Sequence, residues 1–248
     1  MENSLYVALS QQMAVRRMLD VTANNVANMN TAAFRAERPV FDAFVEKAGK
    51  GQKVAFVIDR ATYTDTRDGT VATTGNPLDV AVRGDAWLSV ATPDGVRYTR
   101  DGRLNRDPDG RLVTLDGYPV LDEGGGEITL PEDVGAIAIT ADGAIRAPAV
   151  DSENGEVEEL GRLGLARLPA AGDLERDGSG LVRYDGDPLP AEGATLIQGA
   201  VEGSNVQPIT EMVRLVELTR AYGQANRMVE SEHERQKTAI SKLGGPAT

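Results

Sequence analysis

The sequence has no cysteine and a single histidine, His233, and aromatic residues make up only 4% of its 248 positions. Without cysteine there are no disulfides, no thiolate metal sites and no cysteine nucleophile. One histidine excludes a metal centre built from several imidazoles. Few aromatic side chains leave little material for a ring-lined ligand pocket. We therefore expect no metal site, no cofactor and no catalytic residues.

Long hydrophobic runs are also missing. No segment approaches the ~20 apolar residues that a membrane span requires, so we expect no membrane insertion. The first residues, "MENSLYVALSQQMAVRR", contain only a short apolar run, and the arginines follow it instead of preceding it. A cleavable signal has the opposite order. The expectation is a protein that stays in the cytosol or leaves it without a cleaved signal peptide.

The net charge of −12 is unevenly distributed. Residues 1–47 hold five basic and five acidic side chains, and residues 202–248 hold six of each. Residues 48–201 hold fifteen basic and twenty-seven acidic side chains and so carry the whole excess. Nucleic-acid binding needs a basic surface, so this acidic centre argues against it.

Apolar spacing predicts a helix over residues 4–29. Steps of three and four residues, typical of coiled coils, define a first stripe. Its members are Leu5, Ala8, Gln12, Val15, Leu19, Thr22 and Val26. A second stripe on another face consists of Val7, Ala14, Met18 and Val21.

Residues 208–243 show the same helical pattern, with Gly244 as the expected cap. The first stripe of this helix contains Met212, Leu215, Thr219, Tyr222, Asn226 and Val229. The second contains Ile209, Val213 and Val216. A helix that is apolar on two faces must bury both. The two terminal helices can cover one face by pairing with each other in a coiled-coil-like manner, and the remaining faces need another chain.

The region between the helices divides in two. Residues 30–75 have weak periodicity and indicate an extended arm with one short helix at 38–47. From residue 76 to 200, short β-prone runs such as "WLSVA", "VRYTR" and "RLVTL" alternate with Asp-Gly pairs, which is typical of hairpin-connected strands. The predicted fold class is α+β, with long paired terminal helices and a central all-β domain.

The predicted domains follow from these boundaries. They are an N-terminal helix with its asparagine-rich motif at 1–35, an arm at 36–75, a β-domain at 76–200 and a C-terminal helix at 201–248.

The segment "NRDPDGRLVTLD", residues 105–116, partly matches a calcium-binding EF-hand loop. Asn105 stands at the first position, Asp116 replaces the usual bidentate glutamate at the last, and the flanking segments are β-prone. The alternative is a hairpin whose turn is Pro108-Asp109-Gly110. A calcium-dependent β-domain that acts as a binding module is therefore the competing class of function.

Four asparagines, Asn24, Asn25, Asn28 and Asn30, cluster at the end of the first predicted helix. Asparagine is a mediocre helix former and is suited to capping and left-handed conformations. The cluster can simply stop the helix. Alternatively, its amides can hydrogen-bond to neighbouring helices and set register, as single polar residues do in coiled coils. The spacing leaves both interpretations open.

Three blocks of sequence resemble the bacterial flagellar rod and hook proteins. "NNVANMNTAAF" resembles the motif that ends their first helix, with Ala33 where glycine is usual. "GNPLDVAVRGDAWLSV…YTRDGRLNRDPDGRLVTLDGYPVL" resembles their central block. "LIQGAVEGSNVQPITEMVRLVELTRAYGQANRMVE" resembles their C-terminal block, with Gly223 and Gln224 where Glu-Ala is common.

The resemblance implies a structural subunit of the basal-body rod, most like a proximal-rod member, with a distal-rod or hook-type axial protein as the alternative. Its implied partners are copies of itself, other flagellar axial proteins and the flagellar type III export apparatus. The predicted assembly interface consists of Leu5, Leu9, Val15, Leu19, Asn24, Asn25, Val26, Asn28, Asn30, Thr31, Phe34, Asn205, Val206, Met212, Val213, Leu215, Tyr222, Asn226 and Val229.

Overall fold

A computed structural model describes residues 2–48, 52–131, 136–148, 157–169, 174–177 and 180–243 of the protein. Helix α1 runs over Glu2–Ala27 and helix α2 over Pro208–Leu243, which confirms the two terminal helices. Proline is favoured in the first turn of a helix because its missing N–H would have no partner there, and α2 begins with Pro208. The expected cap Gly244 lies outside the described residues. In the part of the chain that is described, neither helix is long and apolar enough to cross a bilayer.

The helix expected at residues 38–47 is wrong, because this segment is a strand. Strand β1 covers Glu37–Ala48, and β2 covers Gln52–Thr64 and forms a two-stranded sheet with it. Valine and phenylalanine favour strands through their branched or aromatic side chains. The strand pattern was missed because the outer part of this sheet exposes apolar side chains on both faces. Adjacent residues such as Phe44 and Val45 are both exposed, so no period of two appears.

The central region is β-rich, as expected. Among the described residues, its strands are β3 (Val71–Thr73), β4 (Val80–Arg83), β5 (Trp87–Thr92), β6 (Gly95–Thr99), β7 (Leu104–Arg106), β8 (Leu112–Thr114), β9 (Ala138–Ile139), β10 (Ala144–Pro148), β11 (Val157–Arg162), β12 (Leu165–Arg167), β13 (Glu175–Arg176), β14 (Val182–Arg183), β15 (Leu189–Pro190), β16 (Thr195–Gln198) and β17 (Ala200–Glu202). "YPVL" and "EITL", also β-prone, contribute isolated bridges instead of strands.

These strands form several small antiparallel sheets. The six-stranded sheet has the order β13-β14-β6-β5-β12-β15, and β9, β10 and β11 form a three-stranded sheet. The hairpin β5–β6 turns at an Asp-Gly pair, where Gly95 has φ 107°. The predicted hairpin meander is therefore present, and β16 and β17 return to pair with β4 and β3.

Two clusters of buried side chains lie on the two faces of β5. Leu88 and Val90 belong to the main core, whereas Trp87 packs with Tyr98 and Val182 in a smaller cluster. Successive side chains of a strand point to opposite faces, which explains the division. Trp87 is therefore a core residue of the β-domain. Full burial of one leucine such as Leu88 contributes roughly 1.5–3 kcal/mol.

The chain divides into two compact units. Unit 1 contains residues 1–27, 37–63 and 207–248, and so includes α1, the β1–β2 sheet and α2. Unit 2 contains residues 28–36 and 64–206, and so includes the β-domain. The domain boundaries expected from the sequence stay a prediction.

Candidate assembly interface

The two terminal helices contact each other within unit 1. Ala8 and Val15, from the first stripe of α1, are buried. The Gln12 side-chain amide donates a hydrogen bond to Oδ1 of Asn226 on α2. Both residues belong to first stripes, so polar as well as apolar members of these stripes meet inside the chain.

The second stripe of α2 is exposed. Ile209 is 79% exposed, Val213 is 54% exposed and Val216 is 51% exposed. Steps of four and three residues place these side chains on one face of the helix. We call these three residues the outer stripe. Tyr6, Leu9 and Met13 form a further exposed apolar group on α1. Unit 1 thus leaves part of its apolar helix surface uncovered.

The predicted interface residues fall into three groups by exposure. The exposed ones are Leu9, Asn24, Asn30, Thr31, Met212 and Val213. The half-buried ones are Leu19, Val26, Asn28, Phe34, Asn205, Leu215, Tyr222, Asn226 and Val229. Val15, Asn25 and Val206 are buried in the chain itself, and the side chain of Leu5 lies outside the described residues.

Asn25 connects the last turn of α1 to the first residue of β1. Its Nδ2 donates to the carbonyl of Glu37, its Oδ1 accepts from the N–H of Glu37, and both distances are 2.9 Å. The side chain is 1% exposed. Because buried amides must be hydrogen-bonded, this pairing explains an asparagine at this position.

The chain turns directly after α1. The N–H of Thr31 donates to the carbonyl of Asn28 over 3.1 Å, and the N–H of Phe34 donates to that of Thr31 over 3.3 Å. Ala33 has φ 56°, the left-handed region that glycine adopts without cost. Its N–H donates to the carbonyl of Glu202 over 2.8 Å, which holds the residue in this conformation.

Buried ion pairs were missed by the sequence analysis. In unit 1, Glu211 is 1% exposed and pairs with Arg38 of β1 over 2.9 Å. In unit 2, Glu202 pairs with both Arg35 and Arg100 over 2.9 Å. Burial lowers the pKa of the Arg100 guanidinium, and Glu202 opposes that shift. The available signals were the positions of Glu202 in the C-terminal block and of Arg100 in the central block, whereas Arg35 lies just beyond the first block.

The EF-hand-like segment is a hairpin, with β7 and β8 paired across a turn at residues 107–110. Oδ1 of Asp107 accepts from the N–H groups of Asp109 and Arg111, and its Oδ2 pairs with the Arg111 guanidinium over 2.8 Å. Although desolvation raises the pKa of Asp107, these contacts with Arg111 outweigh it and lower that pKa. The Arg111 guanidinium thus supplies the positive charge that faces Asp107 and Asp109. In the described part of the chain no group of three or more candidate ligands could hold a metal ion.

The sequence blocks that build this surface match known protein families. The family described as flagella basal body rod protein matches residues 5–35, and the flagellar hook protein FlgE/F/G D1 domain matches residues 81–147. The flagellar basal body rod FlgEFG protein C-terminal family matches residues 197–242. The FlgF rod protein of Caulobacter vibrioides is 37% identical over 98% of this chain and 99% of its own.

The chain belongs to the flagellar basal-body rod protein family. A FlgF rod protein from Rhizobium meliloti is 38% identical over 99% of both chains. The FlgG rod protein of Bacillus subtilis is 32% identical over 94% of this chain and 96% of its own. As a member of the rod protein family, the chain is a structural subunit of the bacterial flagellar basal body. The resemblance drawn from the sequence blocks is confirmed.

Proposed function

We propose that the chain occupies the proximal rod and that its terminal helices assemble with copies of itself and with other axial proteins into the drive shaft for motility. A comparison with two rod proteins of one organism supports the proximal position. The FlgF protein of Caulobacter vibrioides is 37% identical to this chain, whereas the FlgG protein of the same bacterium is 30% identical. A structural role of this kind needs no catalytic residue.

The exposed outer stripe is the observation that carries the assembly surface. Three branched apolar side chains on one helix face cost free energy in water, and covering each contributes up to ~1.5–3 kcal/mol. The acidic residues concentrate in the middle of the chain, and the segment that contains α2 is neutral overall. A neutral apolar face favours contact with another neutral helix, so the occupant is a helix of a neighbouring rod subunit.

The hydrogen bond between Gln12 and Asn226 supports coiled-coil-like pairing of α1 and α2. A polar pair in an otherwise apolar helix contact disfavours sliding, since any other register would leave the two amides unpaired. The pairing therefore sets which residues of α2 remain on the outside. Contacts between successive subunits must be heterologous, because only contacts of that kind build an open helical rod.

We also propose a route by which the chain leaves the cytosol. The chain has no cysteine, so disulfides do not trap it before or during passage across the membrane. We infer that the flagellar type III export apparatus carries it unfolded, without a cleaved signal peptide, into the periplasm-spanning rod.

The test replaces Val213 by aspartate in the full chain in motile cells. The exposed position leaves folding intact, but the charge prevents an apolar contact, so purified basal bodies should lack the protein and swimming should stop. Gln224→Asp is the matched control, because it adds the same charge at an exposed polar position of the same helix. Normal swimming of the Val213→Asp strain would remove the outer stripe from the interface. Crosslinking within purified basal bodies would then identify the neighbours, and distal-rod or hook neighbours alone would refute the proximal position.

A further inference from the structure

Three short segments of unit 2 border the points at which the chain passes from one unit to the other. We call residues 28–36, 64–70 and 202–206 the crossing segments. The chain changes unit at 27/28, 36/37, 63/64 and 206/207, and each of these points is an end of a crossing segment. Contacts among the crossing segments therefore lie within unit 2, close in sequence to the four points where the chain changes unit.

Glu202 belongs to the third crossing segment and contacts the other two. Its Oε1 accepts from Nη2 of Arg35 over 2.9 Å and from the N–H of Gly69 over 2.8 Å. Its backbone carbonyl accepts from the N–H of Ala33. Asp68 adds a second carboxylate, 3.0 Å from Nη2 of Arg35. The side chains of Glu202 and Arg35 are 1% and 2% exposed, so their contact forms away from water, whereas the Asp68 side chain is 46% exposed.

Arg100 connects this cluster to the interior of the β-domain. Its Nε donates to Oε2 of Glu202 over 2.9 Å. Its Nη1 donates to the carbonyl of Ala86 over 2.6 Å, and its Nη2 donates to that of Val82 over 2.8 Å. Val82 and Ala86 belong to the main core. The arginine thus connects Glu202 to the main core.

Asn205 provides a second set of bonds among the same segments. Its Oδ1 accepts from the N–H of Ala36 over 2.7 Å, and its Nδ2 donates to the carbonyls of Asp65 and Arg67, each over 2.9 Å. Its own N–H donates to the carbonyl of Phe34 over 3.1 Å. Outside this set, Nη1 of Arg176 donates to the carbonyl of Arg35, and its guanidinium lies over the Phe34 ring at 5.2 Å.

We propose that Glu202 is a positioning residue that keeps the turn at residues 28–34 docked on the β-domain before any partner binds. Two arginines and two carboxylates balance in charge, and removing one member leaves a buried charge uncompensated. The turn contains several predicted interface residues, so its advance ordering lowers the entropic cost of assembly. That last consequence rests on the proposed assembly function, whereas the docking in the free chain does not.

Hydrogen exchange of the full chain in its free state tests the docking. In Glu202→Gln, protection should fall at least tenfold at the amides of Ala33, Gly69 and Asn205. Protection should stay unchanged at Ala91 and Leu112, which donate to Pro119 and Ile128 inside the β-domain. Glu127→Gln is the control, because this half-exposed carboxylate pairs with Arg111 over 3.6 Å at the surface. In a Glu202→Gln chain that folds, unchanged protection at the three amides, or an equal loss at Ala91 and Leu112, would overturn the proposal.

A second variant keeps the test decisive if Glu202→Gln does not fold. Asn205→Ala removes hydrogen bonds without uncovering a charge. Protection from hydrogen exchange should fall at least tenfold at the amides of Ala36 and Asp65, while Ala91 and Leu112 keep their protection. Unchanged protection of Ala36 in this variant would refute the docking of residues 28–36 on the β-domain.

Incorporation into basal bodies separates this proposal from the proposed function. The Glu202→Gln chain should be incorporated less than the Glu127→Gln chain. If Val213→Asp blocks incorporation while Glu202→Gln, with its exchange loosened, is incorporated normally, the docking in the free chain and the assembly surface both stand, and the contribution of docking to assembly is refuted. If Val213→Asp is incorporated normally and Glu202→Gln is not, the outer stripe is not part of the assembly interface, and the positioning role of Glu202 is retained.

Discussion

The side chain of Asn25 forms two hydrogen bonds with the backbone of Glu37, one in each direction, both 2.9 Å long. Asn25 is the third residue from the end of α1, and Glu37 is the first residue of β1. A side-chain amide presents one donor and one acceptor side by side, as the backbone of a partner strand does. Within the asparagine cluster, this residue fastens the helix to its own chain.

Replacing Asn25 by alanine should lower the free energy of unfolding of the full chain by about 1–3 kcal/mol, because it removes the two hydrogen bonds that the buried Asn25 side chain forms with the backbone of half-buried Glu37. Chemical denaturation followed by circular dichroism at 222 nm measures this loss. Asn24→Ala is the matched comparison at an exposed position. We expect it to impair rod assembly more than chain stability. Equal losses of stability in the two variants would contradict both expectations.

Replacing Ala33 by glycine should stabilise the chain. A left-handed conformation costs a residue with a Cβ atom about 1–2 kcal/mol, and the greater flexibility of glycine in the unfolded chain offsets part of the relief. A net gain of about 0.5–1 kcal/mol should appear in denaturation followed by the fluorescence of Trp87. Ala32→Gly, at a neighbouring residue without positive φ, should instead destabilise. A loss of stability in Ala33→Gly would mean that the turn is not left-handed in solution.

Replacing Gly223 by alanine should also stabilise the free chain. Gly223 lies inside α2, and apart from the adjacent backbone of the helix no atom of the described residues lies within 4 Å of the place where a Cβ atom would stand. The gain is about 0.5–1 kcal/mol, the usual difference between the two residues in a helix interior. Thermal unfolding followed at 222 nm measures it. Gly199→Ala, with φ 69°, is the contrasting variant and should destabilise. Poorer rod assembly by a more stable Gly223→Ala chain would show that a neighbouring helix approaches this glycine closely.

Stability should fall when the solution is acidified from about pH 5 to pH 2. A hydrogen bond from Thr140 lowers the pKa of Asp142, and a bidentate contact with Arg183 lowers that of Asp185. A carboxyl whose pKa is lower in the folded chain stabilises it above the unfolded pKa of about 3.9 and loses that contribution as pH falls through the folded value. Asp185→Asn and Arg183→Gln should each flatten the acid limb of a pH–stability curve. An unchanged limb in both variants would contradict this assignment.

The sequence predicted the terminal helices well because their signals are local. The apolar steps of three and four residues run from Ile209 to Val229 in the 36-residue helix α2. Asp-Gly pairs likewise indicated the hairpins of the β-domain, because turn geometry depends on a few adjacent residues. Local signals failed at β1, where exposed apolar side chains on both faces erase the strand period.

The amino-acid pattern alone established the two amphipathic ends, the acidic β-rich centre and the family, since composition, spacing and motifs are properties of neighbours along the chain. Tertiary structure decided which helix face stays uncovered, that Asn25 binds Glu37, and that Glu202 meets Arg35 and Arg100. Glu202 lies 102 residues from Arg100. Contacts over such separations depend on how strands and turns bring distant segments together, and no local pattern encodes that placement.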